Sequence, residues 1–343
     1  MAASSQFGWR GWFAPPPSNP SPWPPPGSML SIIVPVFNEH ESLRELHAQI
    51  ASACAGASQE WELLFVDDGS NDGSWRVIEE LACEHPQVRG LRFRRNFGKT
   101  AALAAALAAT RGEIVFTLDA DLQDNPAEIP RFLQKLAEGY DLVNGWKVRR
   151  LDPWHKTKPS KVFNWMVSRL TGLTLHDHNC GYKCFRREVA RELTLYGERH
   201  RFIPALAHAR GFRVTEIDVH HRARPHGHSK YGLRRFHRGF LDLLTVKFQT
   251  SYGSRPMHLW GGLGLLSVAV GLLALGGLGL RGLLLGGPLQ RFDALLVTLG
   301  VAHLVLGKLF FALGFLAELL VANPAHRPAD YSIADQTGPA SDT

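Results

Sequence analysis

Residues 31–37 (SIIVPVF) form a short apolar run rich in β-branched side chains, and a helix-compatible stretch from residue 39 to residue 55 follows it. The same pattern recurs at residues 61–66 and 74–84. Two further strands are predicted at Val88–Phe93 and Glu113–Leu118, separated by an alanine-rich helix at Thr100–Thr110. This alternation favours an α/β fold with a mostly parallel sheet that helices cover. In such sheets ligands bind beyond the carboxyl ends of the strands, where the polar clusters of this sequence lie.

The composition bounds the class of protein. The chain has 343 residues, of which 38 are basic and 31 acidic, so the net charge is +7. At about 150 residues per domain, this length predicts two domains, or one large domain with an appendage. Hydrophobic residues make up 45% of the chain, which excludes wholesale disorder. Four cysteines are too few for a disulfide framework, and no basic segment followed by an apolar run predicts a signal peptide.

Two long apolar segments near the C-terminus predict a membrane hairpin. From Leu259 to Leu280 no side chain is charged, and these 22 residues suffice to cross the bilayer. At about 1.5 Å per residue they span about 30 Å of hydrocarbon. A second run covers residues 294–322 and is interrupted only by His303, Lys308 and Glu318. Buried core helices are the alternative, which the length and the missing charges disfavour.

Basic residues that flank the two spans predict their orientation. Those outside the hairpin are Arg234, Arg235, Arg238, Lys247 and Arg255 before it, and His326 and Arg327 after it. The connecting loop has only Arg281 and Arg291, so we expect the N-terminal region and the tail to be cytoplasmic. Lys308 should face protein, a partner subunit or water. Ser267 and Gly271 form a pair of small residues suited to helix packing.

Acidic clusters follow two of the predicted strands. Asp67-Asp68-Gly69-Ser70 follows the second strand, and its acids can accept hydrogen bonds from a base or a ribose, although such a string is also typical of a capped turn. Asp119-Ala120-Asp121, with Gln123 two residues on, follows the fourth strand. Alternate acids on an extended segment project to one side and supply two oxygen ligands for one cation. A solvated acidic turn is the alternative.

A basic and aromatic stretch, residues 222–231 (RARPHGHSKY), lies directly before the membrane approach. Its cationic side chains can bind phosphates by charge-assisted hydrogen bonds, or attract anionic lipid headgroups in general. The sequence leaves both interpretations open. Gly98-Lys99-Thr100 resembles the end of a P-loop, but that pattern needs a glycine at position 93, which is Phe93. ATPase chemistry is therefore not supported.

Four motifs in order resemble those of the family 2 GT-A glycosyltransferases. They are residues 31–39 (SIIVPVFNE), 66–70 (VDDGS), 119–123 (DADLQ) and Arg224-x-x-Gly-x-Ser-Lys-Tyr231. With the two C-terminal spans, the set is similar to polyprenyl-phosphate glycosyltransferases, akin to dolichol-phosphate mannose synthase and bactoprenol glucosyltransferases. The resemblance covers about residues 30–323 and implies a Rossmann-like GT-A fold.

The expected organisation has five segments. They are a Pro-rich disordered tail (1–29), a GT-A catalytic domain (30–231), a juxtamembrane amphipathic helix (232–256), two transmembrane helices within 257–323, and a cytoplasmic tail (324–343). An interfacial helix is predicted over Gly232–Thr250, because apolar and basic residues interleave there; a plain connector is the alternative. The resemblance implies a multi-pass protein of the inner (plasma) membrane with both termini cytoplasmic.

The resemblance also implies roles for individual residues. Those implied to bind the nucleotide sugar are Pro35, Phe37, Glu39, Asp67, Asp68, Ala120 and Lys147. Those implied to bind the acceptor phosphate are Arg150, Arg224, Ser229 and Lys230. Asp119 and Asp121, assisted by Gln123, are implied to hold Mg²⁺ or Mn²⁺. Asp177 lies where relatives carry an acid near the acceptor, and it either accepts a proton or only positions the acceptor.

The implied reaction is an inverting, metal-dependent transfer of a hexose from a nucleotide-diphosphate sugar to polyprenyl (undecaprenyl or dolichyl) phosphate in cell envelope glycosylation. UDP-glucose is the favoured donor. The implied partners are this donor, the lipid acceptor and the membrane, without nucleic acid, and a homo-oligomer through the transmembrane helices stays open. A processive polysaccharide synthase is one alternative, disfavoured because no Gln-x-x-Arg-Trp motif is present. A catalytically inactive membrane adaptor is the other, disfavoured by the intact acids.

Overall fold

The computed structural model describes residues 28–56, 60–148, 154–222, 234–286 and 291–322. The predicted site residues Arg150, Arg224, Ser229 and Lys230 lie outside these ranges, as do residues 1–27 of the Pro-rich segment and the C-terminal residues 323–343. The chain divides into two compact units, Met1–Gly239 and Phe240–Thr343.

The first unit contains a seven-stranded sheet with the strand order β3-β2-β1-β4-β6-β5-β7. The strands are β1 (Leu30–Val36), β2 (Trp61–Asp67), β3 (Val88–Arg92), β4 (Ile114–Thr117), β5 (Leu142–Lys147), β6 (Lys183–Arg186) and β7 (Val214–Val219). The pairings β1–β2, β1–β4, β2–β3 and β5–β7 are parallel, and β6 is antiparallel to β4 and β5. The predicted mostly parallel sheet is confirmed.

Helices cover both faces of this sheet. They are α1 (Leu43–Gly56), α2 (Ser74–Glu84), α3 (Lys99–Ala109), α4 (Ile129–Ala137), α6 (Arg187–Glu192) and α7 (Ile203–Ala209), and α5 (Trp154–Thr171) packs against α7. Side chains alternate along the central strands, so that Ile32 and Phe65 pack with α1, α2 and α4, whereas Ile33 and Leu64 pack with α3, α6 and α7. Burial on both faces explains why β1 and β2 are continuous apolar runs.

The helix expected to begin at residue 39 begins four residues later, at Leu43. Asn38 adopts a left-handed conformation with φ 57°, which asparagine tolerates better than most residues and which interrupts the path into a helix. The Ser42 hydroxyl then donates to the Ala120 carbonyl at 2.6 Å. Residues 37–42 therefore form a turn between β1 and α1. The Ser42 hydrogen bond fixes this turn to the loop after β4.

The carboxyl ends of the strands bring distant segments to one edge of the sheet. The Asp68 N–H donates to the Val36 carbonyl at 2.8 Å, and the Leu118 N–H donates to the Ile33 carbonyl at 3.0 Å. Because β6 is antiparallel, it begins at this same edge, where Lys183 pairs with Thr117. The loop before β6 therefore meets the loops after β1, β2 and β4.

The second unit contains two long apolar helices, α9 (Pro256–Leu285) and α10 (Arg291–Ala322); α8 (Arg234–Tyr252) precedes them and covers most of the predicted interfacial helix. Residues 256–284 and 292–321 are long and apolar enough to cross a membrane. The Ser267 hydroxyl donates to the His303 carbonyl at 2.9 Å, and a Cβ at Gly271 would lie 2.8 Å from the Gly300 carbonyl oxygen. The predicted packing role of Ser267 and Gly271 is confirmed.

The close approach at Gly271 yields a test of the hairpin. Gly271→Leu forces side-chain atoms into the Gly300 backbone, and such overpacking destabilises a packed interface by about 1–3 kcal/mol. Gly276→Leu is the matched control on the same helix, because an added Cβ there meets no atom within 4 Å among the described residues. The full chain in detergent is heated to a series of temperatures and then analysed by size-exclusion chromatography. We expect only Gly271→Leu to lose its monodisperse peak at a lower temperature than the wild type. Equal behaviour of the two variants would contradict the packing.

Candidate active site

The turn after β2 places a buried acid beside a basic cleft. Asp67 is fully buried, its Oδ1 accepts the Ser70 backbone N–H at 2.9 Å, and its Oδ2 lies 3.5 Å from the Arg92 Nε. An open cleft of about 470 Å³ is lined by Gly69, Ser70, Arg92, Phe93 and Arg94. Because two of the lining side chains are guanidinium groups, the cleft suits an anionic ligand.

Asp68 ties this turn to the start of α3. Its two carboxylate oxygens accept the backbone N–H groups of Phe97 at 2.7 Å and Gly98 at 2.9 Å. Burial raises the pKa of Asp68 above its usual value, although these two N–H groups favour the charged form. The Asp-Asp-Gly-Ser string is thus a capped turn, and in addition it fixes the segment that leads into Lys99. A contact of Asp68 with a nucleotide stays a prediction.

The end of β1 lies against the same turn. The predicted residues there are Pro35, Phe37 and Glu39, and all three are partly exposed. The Asn38 N–H donates to the Ser70 hydroxyl at 2.9 Å, and the Glu39 N–H donates to the Ser74 hydroxyl at 3.0 Å. The structure therefore brings the first two sequence motifs together on one side of the strand edge.

The segment that carries Asp119 and Asp121 is a turn, and the expectation of an extended segment is wrong. Ala120 and Leu122 are both buried, and Leu122 has φ 60°, a left-handed conformation that is strained for a leucine. An extended segment would also place these two side chains on one face, so the bend follows from the left-handed conformation of Leu122 and not from their burial. The Asp121 Oδ1 accepts the Gln123 backbone N–H at 3.2 Å, which closes the turn.

Asp119 is surrounded by cationic groups and by backbone. Its carboxylate pairs with the Lys99 ammonium, and a Cβ placed on Gly181 would lie 2.5 Å from the Asp119 Oδ2. Burial alone would raise the pKa of Asp119, but the ammonium groups of Lys99, Lys147 and Lys183 hold it well below its usual value. Asp119 is therefore ionised at neutral pH, and any side chain at residue 181 would force the carboxylate or the loop before β6 to move.

The acids at this turn fit a divalent cation only in part. Asp119 and Asp121 supply the hard oxygen donors that Mg²⁺ and Mn²⁺ prefer, and the Lys99 contact shows that Asp119 attracts a cation. No group of three or more His, Cys, Asp or Glu side chains that could hold a metal occurs among the described residues. A cation held here needs further ligands from bound phosphate or water, as is usual for Mg²⁺.

Lys147 and Lys183 are the two more deeply buried cations of the site. Lys147 lies 2.9 Å from the buried Asp124 carboxylate. Burial would lower the pKa of Lys147, but Asp124 and the other nearby anionic groups outweigh it and hold the pKa above its usual value. The Lys183 ammonium donates to the Cys180 carbonyl, and burial lowers the pKa of Lys183 to about 8. A donor-binding role for Lys147 stays a prediction.

Asp177 lies in the loop before β6, and this loop is fixed to the ends of the strands. The Asp177 side chain is buried, and its Oδ1 accepts the Asn179 N–H at 3.1 Å. The Thr117 hydroxyl at the end of β4 donates to the Gly181 carbonyl at 2.7 Å. Since Gly181 also contacts Asp119, the loop of Asp177 is part of the same site as the acidic turn.

The segment that leads into the predicted acceptor loop begins at the acidic turn. The Arg222 N–H donates to the Gln123 carbonyl at 3.0 Å, the Gln123 Nε2 donates back to the Arg222 carbonyl at 3.4 Å, and Asp124 forms an isolated bridge with His221. The Arg222 guanidinium donates to the Asn125 Oδ1 at 2.6 Å. The predicted acceptor residues Arg224, Ser229 and Lys230 follow this anchor but lie outside the described residues.

Five residues of the site that were not predicted from the sequence are Lys99, Lys183, Gly181, Arg92 and Arg94. Lys99 was set aside with the P-loop-like string, yet a lysine at the first position of a helix that follows a parallel strand lies at the ligand edge of the sheet. Arg92 and Arg94 could have been found in the same way, because they lie at the carboxyl end of the parallel strand β3. Gly181 has no local signal, because its contact with Asp119 joins residues far apart in the sequence.

Comparison with known proteins identifies the family. Residues 31–194 match the family described as glycosyl transferase family 2. A dodecaprenyl-phosphate galacturonate synthase of Rhizobium johnstonii is 38% identical over 296 residues, which are 85% of this chain and 87% of that protein. The chain belongs to glycosyl transferase family 2. The resemblance found in the sequence motifs is thereby confirmed for this glycosyltransferase.

One further relative agrees with the family, and one solved structure shares the fold. An undecaprenyl-phosphate 4-deoxy-4-formamido-L-arabinose transferase of Pseudomonas fluorescens is 37% identical over 298 residues, covering 87% of this chain and 86% of that protein. The structure of a glucosyl-3-phosphoglycerate synthase from Mycobacterium tuberculosis, solved with Mn²⁺, UDP and phosphoglyceric acid, has a TM-score of 0.53 at 19% identity. It covers 65% of this chain and 78% of that one, which shows that the glycosyltransferase fold is shared.

Buried His178 makes the loop of Asp177 sensitive to acid. Its Nε2 lies 2.9 Å from the Ser168 hydroxyl, and burial lowers the pKa of His178 from 6.5 to about 4. The unfolded chain takes up the proton near pH 6.5 and the folded chain only near pH 4, so stability is lost as the pH falls through this window. Between pH 7.5 and pH 5 the loss is about 2 kcal/mol.

We expect the wild-type chain to lose several degrees more in its unfolding temperature between pH 7.5 and pH 5 than His178→Asn, which keeps a hydrogen-bonding group but cannot titrate. Tryptophan fluorescence of the full chain in detergent measures both midpoints. The His220→Asn variant serves as the control, because His220 is exposed and lies after β7, outside the loop of Asp177. An identical pH dependence in wild type and His178→Asn would contradict the assignment.

Proposed function

We propose that this glycosyltransferase is anchored in the inner membrane and transfers a sugar from a nucleotide diphosphate to polyprenyl phosphate. The observation that carries the proposal is the contact between Asp119 and Gly181, which joins the acidic turn to the loop of Asp177. The Asp67 turn lies at the same strand edge. The named activities of the two bacterial relatives, both acting on polyprenyl phosphates, support this acceptor.

The donor belongs on the side of the site where the basic cleft lies. Asp67 and Asp68, together with Pro35, Phe37 and Glu39, would contact the nucleoside, and the guanidinium groups of the cleft offset the charge of the diphosphate. A uridine base is supported by the UDP bound to the fold relative from Mycobacterium tuberculosis. UDP-glucose is the first donor to test, and a uronic acid donor is the second because one relative is a galacturonate synthase.

Asp119 and Asp121, with Gln123, would hold Mg²⁺ or Mn²⁺ between the protein and the diphosphate. When bound, the cation offsets the negative charge that develops on the leaving diphosphate. Lys99 and Lys183 add positive charge beside the same carboxylate. The site therefore offers a cationic environment to a leaving group that gains charge as it departs.

The acceptor phosphate would enter from the segment that follows Arg222. Arg224 follows that anchor by two residues in the sequence. Arg224, Ser229, Lys230 and Arg150 would bind the lipid phosphate. An oxygen of this phosphate forms a bond to the anomeric carbon while the bond from that carbon to the diphosphate breaks, and the nucleoside diphosphate leaves. One such displacement inverts the anomeric carbon.

The acceptor needs little help to attack. A comparable phosphomonoester has a second pKa of about 6, so the lipid phosphate is anionic at neutral pH. Asp177 would therefore orient the acceptor rather than remove a proton from it. The apolar helices α9 and α10 would confine the enzyme to the bilayer that holds its acceptor, which raises the effective concentration of the two partners.

The transfer reaction is tested with the full chain in detergent, undecaprenyl phosphate and radiolabelled UDP-glucose, UDP-galacturonate or GDP-mannose, with Mn²⁺, Mg²⁺ or EDTA. We expect label in the lipid extract with a UDP-sugar and a divalent cation, and a loss of at least a hundredfold in Asp121→Ala. Glu79→Ala, an exposed acid on α2, is the control and should keep full activity. No labelled lipid with any donor overturns the proposal, and unchanged turnover of Asp121→Ala removes the metal assignment.

Gly181→Ala tests the contact that joins the two loops. Its methyl group would lie 2.5 Å from the Asp119 Oδ2, so either the carboxylate or the loop has to move. We expect turnover to fall at least tenfold while the far-ultraviolet circular dichroism spectrum stays unchanged. Gly56→Ala is the matched control, since an added Cβ there meets no atom within 4 Å in the described part of the chain. Full activity of Gly181→Ala would show that the contact is not needed.

A further inference from the structure

Side chains from two neighbouring strands form hydrogen bonds with the backbone N–H and the backbone carbonyl of Asp177. Asn144 on β5 and Glu216 on β7 are directly paired residues of the parallel ladder. The Glu216 carboxylate accepts the His176 N–H at 2.9 Å and the Asp177 N–H at 3.4 Å. The Asn144 Nδ2 donates to the Asp177 carbonyl at 2.5 Å. The backbone on both sides of the Asp177 Cα is thereby fixed to the sheet.

Glu216 would be costly at this position without these partners. Its side chain is only 14% exposed, and a carboxylate removed from water is unfavourable unless donors satisfy it. In addition to the two backbone N–H groups, the His176 imidazole contacts Glu216. The His176 ring is itself stacked on Trp146, with 4.0 Å between ring centroids and 13° between planes. The stacking on Trp146 therefore holds the His176 imidazole, which is one of the groups in contact with Glu216.

Asn144 is fully buried, and its amide nitrogen also donates to the Gly145 carbonyl at 3.0 Å. The buried amide nitrogen therefore ties the Asp177 carbonyl to the backbone of β5. Asp177 then has little freedom left, because its own Oδ1 accepts the Asn179 N–H. A carboxylate that has to meet a substrate within a fraction of an ångström depends on such support.

We propose that Glu216 and Asn144 are positioning residues for Asp177, and that they act on turnover through the placement of its carboxylate. This inference rests on the proposed function in assigning Asp177 to the acceptor side of the site. Glu216 is not a catalytic residue, because its oxygens are occupied by the backbone of residues 176 and 177 and by the His176 imidazole.

A double-mutant cycle tests the inference in the transfer assay. Glu216→Gln keeps the size of the side chain but loses the charge, and we expect it to lower kcat about tenfold with an unchanged KM for the nucleotide sugar. In the Asp177→Asn background the same change should have no further effect, because the carboxylate that it positions is absent. Additive losses, or a raised KM for the nucleotide sugar with unchanged kcat, would overturn the proposal.

Asp218→Asn is the matched control for Glu216→Gln. Asp218 is two residues away on the same strand, is exposed, and pairs with Arg131 away from the Asp177 loop. We expect this variant to keep the wild-type kcat and KM. A tenfold loss in Asp218→Asn as well would show that any loss of an acid on β7 impairs the enzyme, and would overturn the specific role of Glu216.

Hydrogen exchange followed by mass spectrometry separates this inference from the proposed function. We expect the peptide covering residues 172–182 to exchange at least tenfold faster in Glu216→Gln and in Asn144→Ala than in wild type or Asp218→Asn, without any substrate. Unchanged exchange in Glu216→Gln and Asn144→Ala overturns the inference even if the enzyme transfers sugar. Faster exchange in a chain that transfers no sugar overturns the proposed function and leaves the structural hold on Asp177 established.

Discussion

The architecture of the site depends on the close contact between the Asp119 carboxylate and the backbone of Gly181. Strand β4 ends just before Asp119, and β6 begins just after Gly181 in the opposite direction. An antiparallel strand beside β4 has to start at the edge where β4 ends, so the loop before it crosses the end of β4. The absence of a side chain on Gly181 lets this loop lie directly on the carboxylate. One strand reversal in a mostly parallel sheet thus brings Asp177 to the acidic turn.

The charges around this contact form a compensated cluster. An ionised carboxylate in a partly buried position requires cationic or hydrogen-bonded partners, and three lysines from three different elements supply them. Lys99 comes from the start of α3, Lys147 from the end of β5 and Lys183 from the start of β6. The same positive charge that stabilises Asp119 suits the site to a ligand with two phosphate groups. Under the proposed function, the charge that stabilises Asp119 would also attract the diphosphate of the donor.

The parts of the fold that the sequence predicts are those whose signals are local. Strands β1 to β4 and helix α2 end within one residue of their predicted bounds, because apolar runs buried on both faces stand out from their surroundings. Strand β6 has only four residues, and β5 contains Asn144 and Gly145, so neither has the apolar pattern of a buried strand. The extended form expected for residues 119–121 fails because the chain turns at residues 120–121 and Leu122 adopts a left-handed conformation. Contacts such as Lys99 with Asp119 join distant residues, and no local pattern encodes them.

The polar residues Asn144 and Glu216 lie within strands of the sheet and hydrogen bond to the loop of Asp177. A search for apolar runs in the sequence does not detect such residues. A buried parallel strand normally pairs its backbone groups along the ladder and packs apolar side chains on both faces, so an amide or a carboxylate within it is unfavourable. The loop before β6 supplies an acceptor for the amide nitrogen of the buried Asn144 and donors for the carboxylate of Glu216 on the edge strand β7. The loop in turn has no helix or strand of its own and relies on those side chains for its shape. Strand and loop are therefore interdependent, and Asn144, which interrupts the apolar pattern of β5, also fixes the loop of Asp177.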